Sequence, residues 1–213
     1  MNVFEFMWTN RSEVLQLTAE HLLLVAISIV IAVAIGVPLG ILMTRKPSLS
    51  KPVLTFANVM QTIPSLALFG FLIPIPVVGG IGARTAIVAL VLYSLLPIIR
   101  NTFTGIMGVD PAVREAGRGM GMTDAQLLRQ VEIPLAMGVI FAGVRVATVI
   151  AVGVATIAAA VGAGGLGMFI FRGVSMLDYR LILAGAIPSA ALALIADLGL
   201  GAAERLFRQE TRN

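Results

Sequence analysis

Hydrophobic residues in this chain form long uncharged runs, which short clusters of charged residues separate. An apolar run of about 20 residues is long enough for a helix to cross a bilayer. The runs predict an all-α integral membrane protein with about five transmembrane helices, at residues 21–44, 53–73, 85–107, 134–161 and 181–203. Terminal segments at residues 1–20 and 205–213 flank one membrane domain at residues 21–204. Residues 74–82 then form an outer loop, and residues 169–180 a short interfacial segment.

The composition supports a membrane protein and excludes several other classes. Charged residues make up 12% of the chain and hydrophobic residues 58%, whereas soluble domains carry about 25% charged residues. Cysteine is absent, so the sequence predicts neither a disulfide framework nor a thiolate metal site. The single histidine, His21, cannot build a metal site alone, and we predict that it is a polar residue at the membrane interface. We therefore expect no metal site.

The distribution of lysine and arginine predicts the orientation. Basic residues lie at the ends of the hydrophobic runs rather than on one soluble face, which indicates a membrane protein and no nucleic-acid partner. With five spans, one side of the membrane collects ten basic residues, at positions 45, 46, 51, 100, 114, 118, 129, 205, 208 and 212. The other side has four, at positions 11, 84, 172 and 180. Since the more basic side faces the cytoplasm, we expect the N-terminus outside and the C-terminus in the cytoplasm.

The polar stretch at residues 108–133 has the sequence signals of two short helices. Asp110 is a suitable N-cap, and Pro111 fits the first helical position. Thr123, with Gln126 three residues later, forms a capping box that begins a second helix. Three glycines between these signals weaken the first helix and allow a turn. We expect two cytoplasmic helices that meet at a sharp angle before the fourth span.

The same stretch resembles a motif of the permease subunits of ABC-type importers, E-A-A-x3-G-x9-I-x-L-P, which lies in a cytoplasmic loop. The matching residues, all in register, are Glu115, Ala116, Gly117, Gly121, Val131, Ile133 and Pro134. Three of them depart mildly from the motif, because Gly, Val and Ile replace Ala, Ile and Leu. The resemblance implies that these residues couple the chain to an ATPase, with a small-residue knob that enters a groove on it. An ordinary amphipathic loop helix is the alternative.

Five segments resemble the osmoprotectant branch of these permeases, at residues 58–68, 95–102, 115–123, 162–167 and 183–188. That branch imports glycine betaine, carnitine, choline and related quaternary ammonium compounds. The resemblance implies a type I importer fold, with two permease subunits around the path, two ATPase subunits below them and a separate substrate-binding protein outside. It also implies that ATP and Mg²⁺ bind to the ATPase and that this chain holds no cofactor.

The second span contains polar residues beside a proline: Gln61, Thr62, Pro64 and Ser65. Polar groups at membrane depth are tolerated where they contact protein or line a water-filled cavity. We predict a kinked helix whose polar residues line the translocation path. The alternative is a plain proline kink, in which Thr62 and Ser65 bond the freed carbonyl groups.

Two charged residues of opposite sign lie inside the last two spans. Arg145 and Asp197 have similar predicted depths, roughly 16 and 12 Å from the inner surface at about 1.5 Å per residue. A charge at such depth should face protein or water rather than lipid. We predict that the two residues pair and join the fourth span to the fifth; the alternative is that Arg145 bonds backbone carbonyl groups or lines the path. In the first span, Gly36 and Gly40 predict a helix-contact face.

The chain lacks the sequence signatures of an enzyme that acts alone. It has no G-x-x-x-x-G-K-[ST] phosphate loop and no serine–histidine–aspartate constellation. Residues 162–167 match G-x-G-x-x-G, but no predicted strand precedes them, and we interpret them as a turn at the membrane surface. We predict a non-catalytic subunit whose partner hydrolyses ATP. The alternatives are an importer for another small solute, such as an amino acid or an ergothioneine-like betaine, an ATP-independent carrier and a structural subunit.

Overall fold

The computed structural model describes residues 2–210, including the side chains of residues 2–205. This part of the chain is helical and contains no strand, which confirms the predicted all-α class. Its helices are α1 (Val3–Thr9), α2 (Arg11–Arg45), α3 (Ser50–Thr62), α4 (Ser65–Leu72), α5 (Ala83–Met107), α6 (Pro111–Gly119), α7 (Asp124–Leu127), α8 (Ile133–Ala158), α9 (Gly167–Met176) and α10 (Tyr179–Glu210). Short 3₁₀ turns occupy Pro47–Leu49 and Ala159–Val161, and a π-helical segment occupies Leu128–Glu132.

Four helical segments are long and apolar enough to cross a membrane: α2, α5, the run Asp124–Val161 and α10. The pair of α3 and α4 adds a fifth span if its two halves count together, so the prediction of about five spans is confirmed. Helix α2, the first span, begins at Arg11, ten residues before its predicted start, because no glycine or proline interrupts the intervening sequence. Its 35 residues extend over about 52 Å, longer than the roughly 30 Å hydrocarbon core. Its first turns therefore lie outside that core.

Of the four long spans, α5 is the most buried. It packs against α2, where two glycines allow a close approach. A Cβ added at Gly36 would lie 2.8 Å from Ile98 Cγ2, and one at Gly40 would lie 2.6 Å from Thr102 Cβ. Side chains do not pack at such distances, so glycine is needed for the two backbones to come together. The helix-contact face predicted for these glycines is confirmed.

His21 is fully buried within the protein. Its Nε2 lies 3.2 Å from the carbonyl oxygen of Val152 on α8. Because α2 begins well before His21, this residue lies in the interior of a helix that packs on α8. Its predicted depth at the membrane interface stays a prediction.

The second span is broken rather than kinked. α3 ends at Thr62, Ile63 is extended with ψ 127°, and α4 begins at Ser65. The helical segments on either side form an angle of 105°. The ring of Pro64 pushes the preceding residue out of the helical region, and proline has no N–H for a helical bond. Both effects act at the same place, so the predicted single kinked helix is wrong, although the bend lies where the sequence placed it.

The fourth span begins ten residues before its predicted start at Pro134. The segments α7, Leu128–Glu132 and α8 form one continuous helical run. The Ile133 N–H donates to the carbonyl of Leu128, five residues back, which is a π-helical bond. A proline ring clashes with the carbonyl four residues before it. The wider π segment accommodates Pro134 at that point, so the helix passes through the proline instead of starting at it.

The outer end of α8 leads into the glycine-rich turn predicted at residues 162–167, which is confirmed. Gly162, Gly164 and Gly165 have φ values of 74°, 82° and 76°, a region that glycine adopts without strain. The Gly165 N–H donates to Glu20 Oε2 at 3.1 Å and fastens the turn to α2. The predicted interfacial segment after the turn is the short helix α9.

Candidate functional site

The polar stretch between α5 and α8 folds as an elbow at residues 110–127, in which α6 is followed by a tight turn and α7. Asp110 Oδ1 accepts a hydrogen bond from the Ala112 N–H at 2.8 Å, and Pro111 begins α6. Thr123 and Gln126 form a reciprocal capping box at the start of α7. These caps satisfy N–H groups that the first turn of a helix leaves unpaired. Both predicted caps are confirmed.

The turn of the elbow depends on Gly121, which has a left-handed backbone with φ 82°. The Gly121 N–H donates to the Arg118 carbonyl at 2.9 Å, and the Met122 N–H donates to the Gly117 carbonyl at 3.1 Å. Helices commonly end on a left-handed glycine in this way. A Cβ at Gly121 would meet no atom within 4 Å. The requirement for glycine within the chain is therefore conformational and not steric.

Glu115 and Ala116 are exposed on the outer side of the elbow, whereas Gly117 is buried. A Cβ at Gly117 would lie 2.7 Å from Leu127 Cδ1 and 3.2 Å from Met122 Sδ. Gly117 therefore allows α6 to approach α7 within the chain, and it does not belong to the exposed knob that the resemblance implies. Of the predicted knob residues, Glu115, Ala116 and Gly121 are exposed, and their contact with an ATPase stays a prediction.

The remaining motif residues lie where the elbow joins the membrane. Val131 and Ile133 are half-buried, and Pro134 is exposed in the first turn of α8. They belong to the arm that connects the elbow to α8 and not to its exposed tip.

An ion cluster of one buried acid and two partly exposed arginines lies beside the elbow, and no local sequence pattern indicated it. Glu132 is 1% exposed and contacts two arginines. Its Oε1 lies 3.1 Å from Arg114 Nε, and its Oε2 accepts a hydrogen bond from Arg45 Nη2. Arg114 also donates to the carbonyl of Ile106 in the last turn of α5. The available signal was an acidic residue directly before a long apolar run, but nothing in the sequence pointed to a partner 87 positions away.

Hydrogen bonds to Tyr93 of α5 stabilise the break between α3 and α4. The Tyr93 hydroxyl donates to the Ile63 carbonyl, and Gln61 Nε2 donates to the Tyr93 carbonyl at 3.5 Å. Tyr93 lies ten residues, or roughly 15 Å, from the N-terminal end of the 25-residue helix α5, so the break lies beside the middle part of this helix. Tyr93 therefore satisfies a carbonyl group that the end of α3 leaves free. Its role was not evident from the sequence, because the two groups are 30 positions apart.

The other predicted path residues lie differently. Thr62 is exposed and donates to the Val59 carbonyl on its own helix at 2.8 Å, which is the local bonding that a plain proline kink implies. Pro64 is exposed and Ser65 is half-buried. The polar face of the break thus opens on the surface of the single chain, and only Gln61 of the four is bonded to another helix among the contacts described.

Arg145 joins α8 to α10 through two acids. Its Nε lies 3.4 Å from Asp197 Oδ1, and its Nη1 lies 3.4 Å from Glu204 Oε2. The structure thus brings the predicted pair together and adds Glu204, seven residues further along α10. The Arg145 side chain is 34% exposed and that of Asp197 is 48% exposed. A Cβ at Gly201 would lie 2.8 Å from Arg145 Nη1, so this glycine makes room for the guanidinium.

Comparison with known proteins identifies the kind of chain in which this elbow occurs. A sequence profile of the family described as "Binding-protein-dependent transport system inner membrane component" matches residues 36–209. The chain belongs to this family. It is a multi-pass membrane permease.

Several characterised permeases are similar to it over most of their length. The permease is 49% identical over 199 residues to the osmoprotectant import permease protein OsmW of Salmonella typhimurium, covering 92% of this chain and 93% of that protein. It is 50% identical over 197 residues to the glycine betaine/carnitine/choline transport system permease protein OpuCD of Bacillus subtilis, covering 92% and 85%. It is 45% identical over 202 residues to the carnitine transport permease protein OpuCB of Listeria monocytogenes, covering 95% and 91%.

Solved structures confirm the type I importer fold of the permease. An inward-facing structure of the MetNI methionine ABC transporter aligns with a TM-score of 0.82 and 25% identity, covering 95% of this chain and 98% of that one. An amino acid ABC transporter with histidines aligns with a TM-score of 0.74 at 21% identity, covering 97% and 98%, and supports the fold alone.

Proposed function

We propose that this permease is the membrane-spanning subunit of an ATP-driven importer for small osmoprotectants such as glycine betaine, choline and carnitine. The three permeases described above support this substrate class, because their names state osmoprotectants, glycine betaine, carnitine or choline and they are 45–50% identical. Methionine or histidine has weaker support as a substrate, since the structures of those transporters are only 21–25% identical.

One observation carries the mechanism. The elbow exposes Glu115, Ala116 and the turn at Gly121, and it lies on the side of the molecule where basic residues collect. Arg45 meets the elbow through Glu132, and exposed basic residues follow it directly in the sequence. The more basic side of a membrane protein faces the cytoplasm. The exposed knob is therefore available to an ATPase in the cytoplasm, which binds ATP and Mg²⁺ and hydrolyses the nucleotide. In this proposal the permease itself catalyses no chemical step.

The translocation path lies between two permease subunits, either two copies of this chain or this chain and a sister permease. The surface-exposed break at Gln61–Ser65 in the second span supplies its polar lining at mid-membrane depth. Tight recognition of a quaternary ammonium group favours an aromatic cage, but the chain is only 6% aromatic. High-affinity selection therefore belongs to a separate binding protein on the outer side.

Purification from the native membrane followed by reconstitution tests this proposal. We expect an ATPase to co-purify with the permease, and we expect proteoliposomes that also contain the binding protein to take up labelled glycine betaine, choline or carnitine only when ATP is present. Methionine and histidine serve as comparison substrates. Uptake without ATP would indicate a carrier, and uptake of the amino acids but of none of the quaternary ammonium compounds would overturn the substrate class.

A further inference from the structure

Glu132 and the two arginines that it contacts link α2, α5, α6 and α8 beside the elbow. Glu132 closes the π segment before α8, Arg45 is the last residue of α2, and Arg114 lies on α6. Glu132 contacts both arginines, and Arg114 reaches the Ile106 carbonyl in the last turn of α5. These contacts link α2 and α6 to α8 through Glu132, and α6 to α5 through Arg114.

Helix α6 has few other polar connections to the membrane helices. Of its nine residues, all of them described, only Gly117 is buried, and the atoms around Gly117 belong to the elbow itself. Val113 lines a groove of about 340 Å³ with Leu135 of α8, but it stays 41% exposed. In the described structure, Arg114 supplies the polar contacts that hold α6 to α5 and, through Glu132, to α2 and α8.

The cluster is poorly explained as a device for stability. Desolvation of buried charges offsets most of their attraction, and apolar residues of similar size often serve a fold as well or better. What the cluster does provide is a defined geometry, because loss of an arginine leaves the buried charge of Glu132 less compensated. Glu132 is also the last residue of a π-helical segment, and such segments frequently occur at functional sites.

We propose that Glu132 is a positioning residue for energy coupling. It holds Arg114 and Arg45 in one cluster, so that α6, when the ATPase displaces it, moves α2 and α8 as a unit. This inference rests on the proposed function, since it assumes that an ATPase acts on the elbow. The anchoring of α6 to α2 is, however, a property of the permease alone and is measurable without transport.

The first test is functional. Glu132→Gln keeps the shape of the side chain but removes the charge that both arginines contact. In the complete complex we expect basal ATP hydrolysis to persist, while its stimulation by substrate-loaded binding protein falls at least about ten-fold, within the usual range of coupling between sites. The control is Glu13→Gln, which breaks the 2.9 Å pair with Arg172 between side chains that are each about 40% exposed. Because exposed pairs contribute little, this variant should change stimulation by less than about five-fold.

The second test measures directly whether Glu132 holds α6 to α2. The chain has no native cysteine, so spin labels can be placed at the exposed positions Ser48, just after α2, and Met120, in the elbow. In the purified permease we expect a narrow distribution of the distance between the labels. Glu132→Gln should broaden it, and Glu132→Asp, which keeps the charge, should largely restore it. If Glu132→Gln fails to fold, Arg45→Gln replaces it, because that variant detaches α2 while the pair of Glu132 and Arg114 remains.

The possible outcomes separate the two levels of the proposal. A broadened distribution with lost stimulation supports the positioning role. An unchanged distance distribution in Glu132→Gln would show that Glu132 does not hold α6 to α2. A broadened distribution with full stimulation of ATP hydrolysis would show that this contact is not needed for coupling. If the unmodified complex shows no stimulation at all, the proposed function fails and the coupling role fails with it, whereas the distance measurement still decides whether Glu132 holds α6 to α2.

Discussion

Replacement of Gly121 by alanine tests whether the elbow depends on one backbone conformation. With φ 82°, Gly121 lies in the left-handed region, which costs an L-residue about 1–2 kcal/mol. No atom lies within 4 Å of the added Cβ, so alanine introduces strain without a clash. A cost of this size corresponds to a factor of about 5–30 in the population of the native turn relative to alternative conformations.

Hydrogen exchange measures this population directly. The Met122 N–H donates to the Gly117 carbonyl across the turn, so its exchange should accelerate by about 5- to 30-fold in Gly121→Ala. Stimulation of ATP hydrolysis by substrate should fall in the same variant. A bulky residue such as leucine should abolish both stimulation and transport while the chain still inserts into the membrane, because it adds a side chain to the knob as well as strain.

Two further variants make the test specific. Gly121→Asn should be milder than Gly121→Ala, since asparagine tolerates the left-handed region better. Gly119→Ala should be neutral or slightly stabilising, because Gly119 lies within α6, lacks a positive φ and has no atom within 4 Å of an added Cβ. If alanine and asparagine at position 121 both behaved like glycine, the conformational explanation would be rejected. If Gly119→Ala were as harmful as Gly121→Ala, the effect would not be specific to the left-handed turn.

Four other predictions follow from the structure. A cysteine at Ser48 should react with an impermeant reagent only from the cytoplasm and one at Ile81, which is 85% exposed, only from outside; the reverse pattern would reject the orientation. Gly40→Ala should destabilise the permease by about 1–3 kcal/mol through overpacking of α2 against α5, and an unchanged thermal unfolding temperature would contradict that contact. Arg145→Gln should destabilise more than Asp197→Asn, because the first removes the cation that two acids contact, whereas the second leaves Arg145 beside the other acid; equal losses would refute this. Calorimetry of the purified chain alone should detect no tight binding of glycine betaine.

The elbow could be predicted in detail because its determinants are local. The side chain of Asp110 bonds a backbone group two residues away, and the capping box of Thr123 spans three residues. Such interactions depend on the spacing of residue types and hardly at all on the rest of the fold. The same holds for the bend at Pro64, where the proline ring acts on its immediate neighbour.

The features that the sequence did not predict depend on contacts between distant segments. Tyr93 bonds a carbonyl group in another helix, and Glu132 pairs with Arg45 across 87 positions. Gly117 occupies the position of the motif's second alanine, but its burial against Leu127 depends on how α6 packs against α7. Helix starts were placed too late, as the starts at Arg11 and Asp124 show, because hydropathy detects where a chain enters lipid and not where its helix begins.

The uninterrupted helix from Asp124 to Val161 gives the permease a mechanical lever. Its 38 residues form a rod about 57 Å long, so a tilt of about 5° displaces the far end by about 5 Å. One end of the rod is the second arm of the elbow, and the other leads into the glycine turn, where Gly165 is tied to Glu20. If this rod tilts about one end, the other end therefore moves by several ångström relative to the rest of the permease.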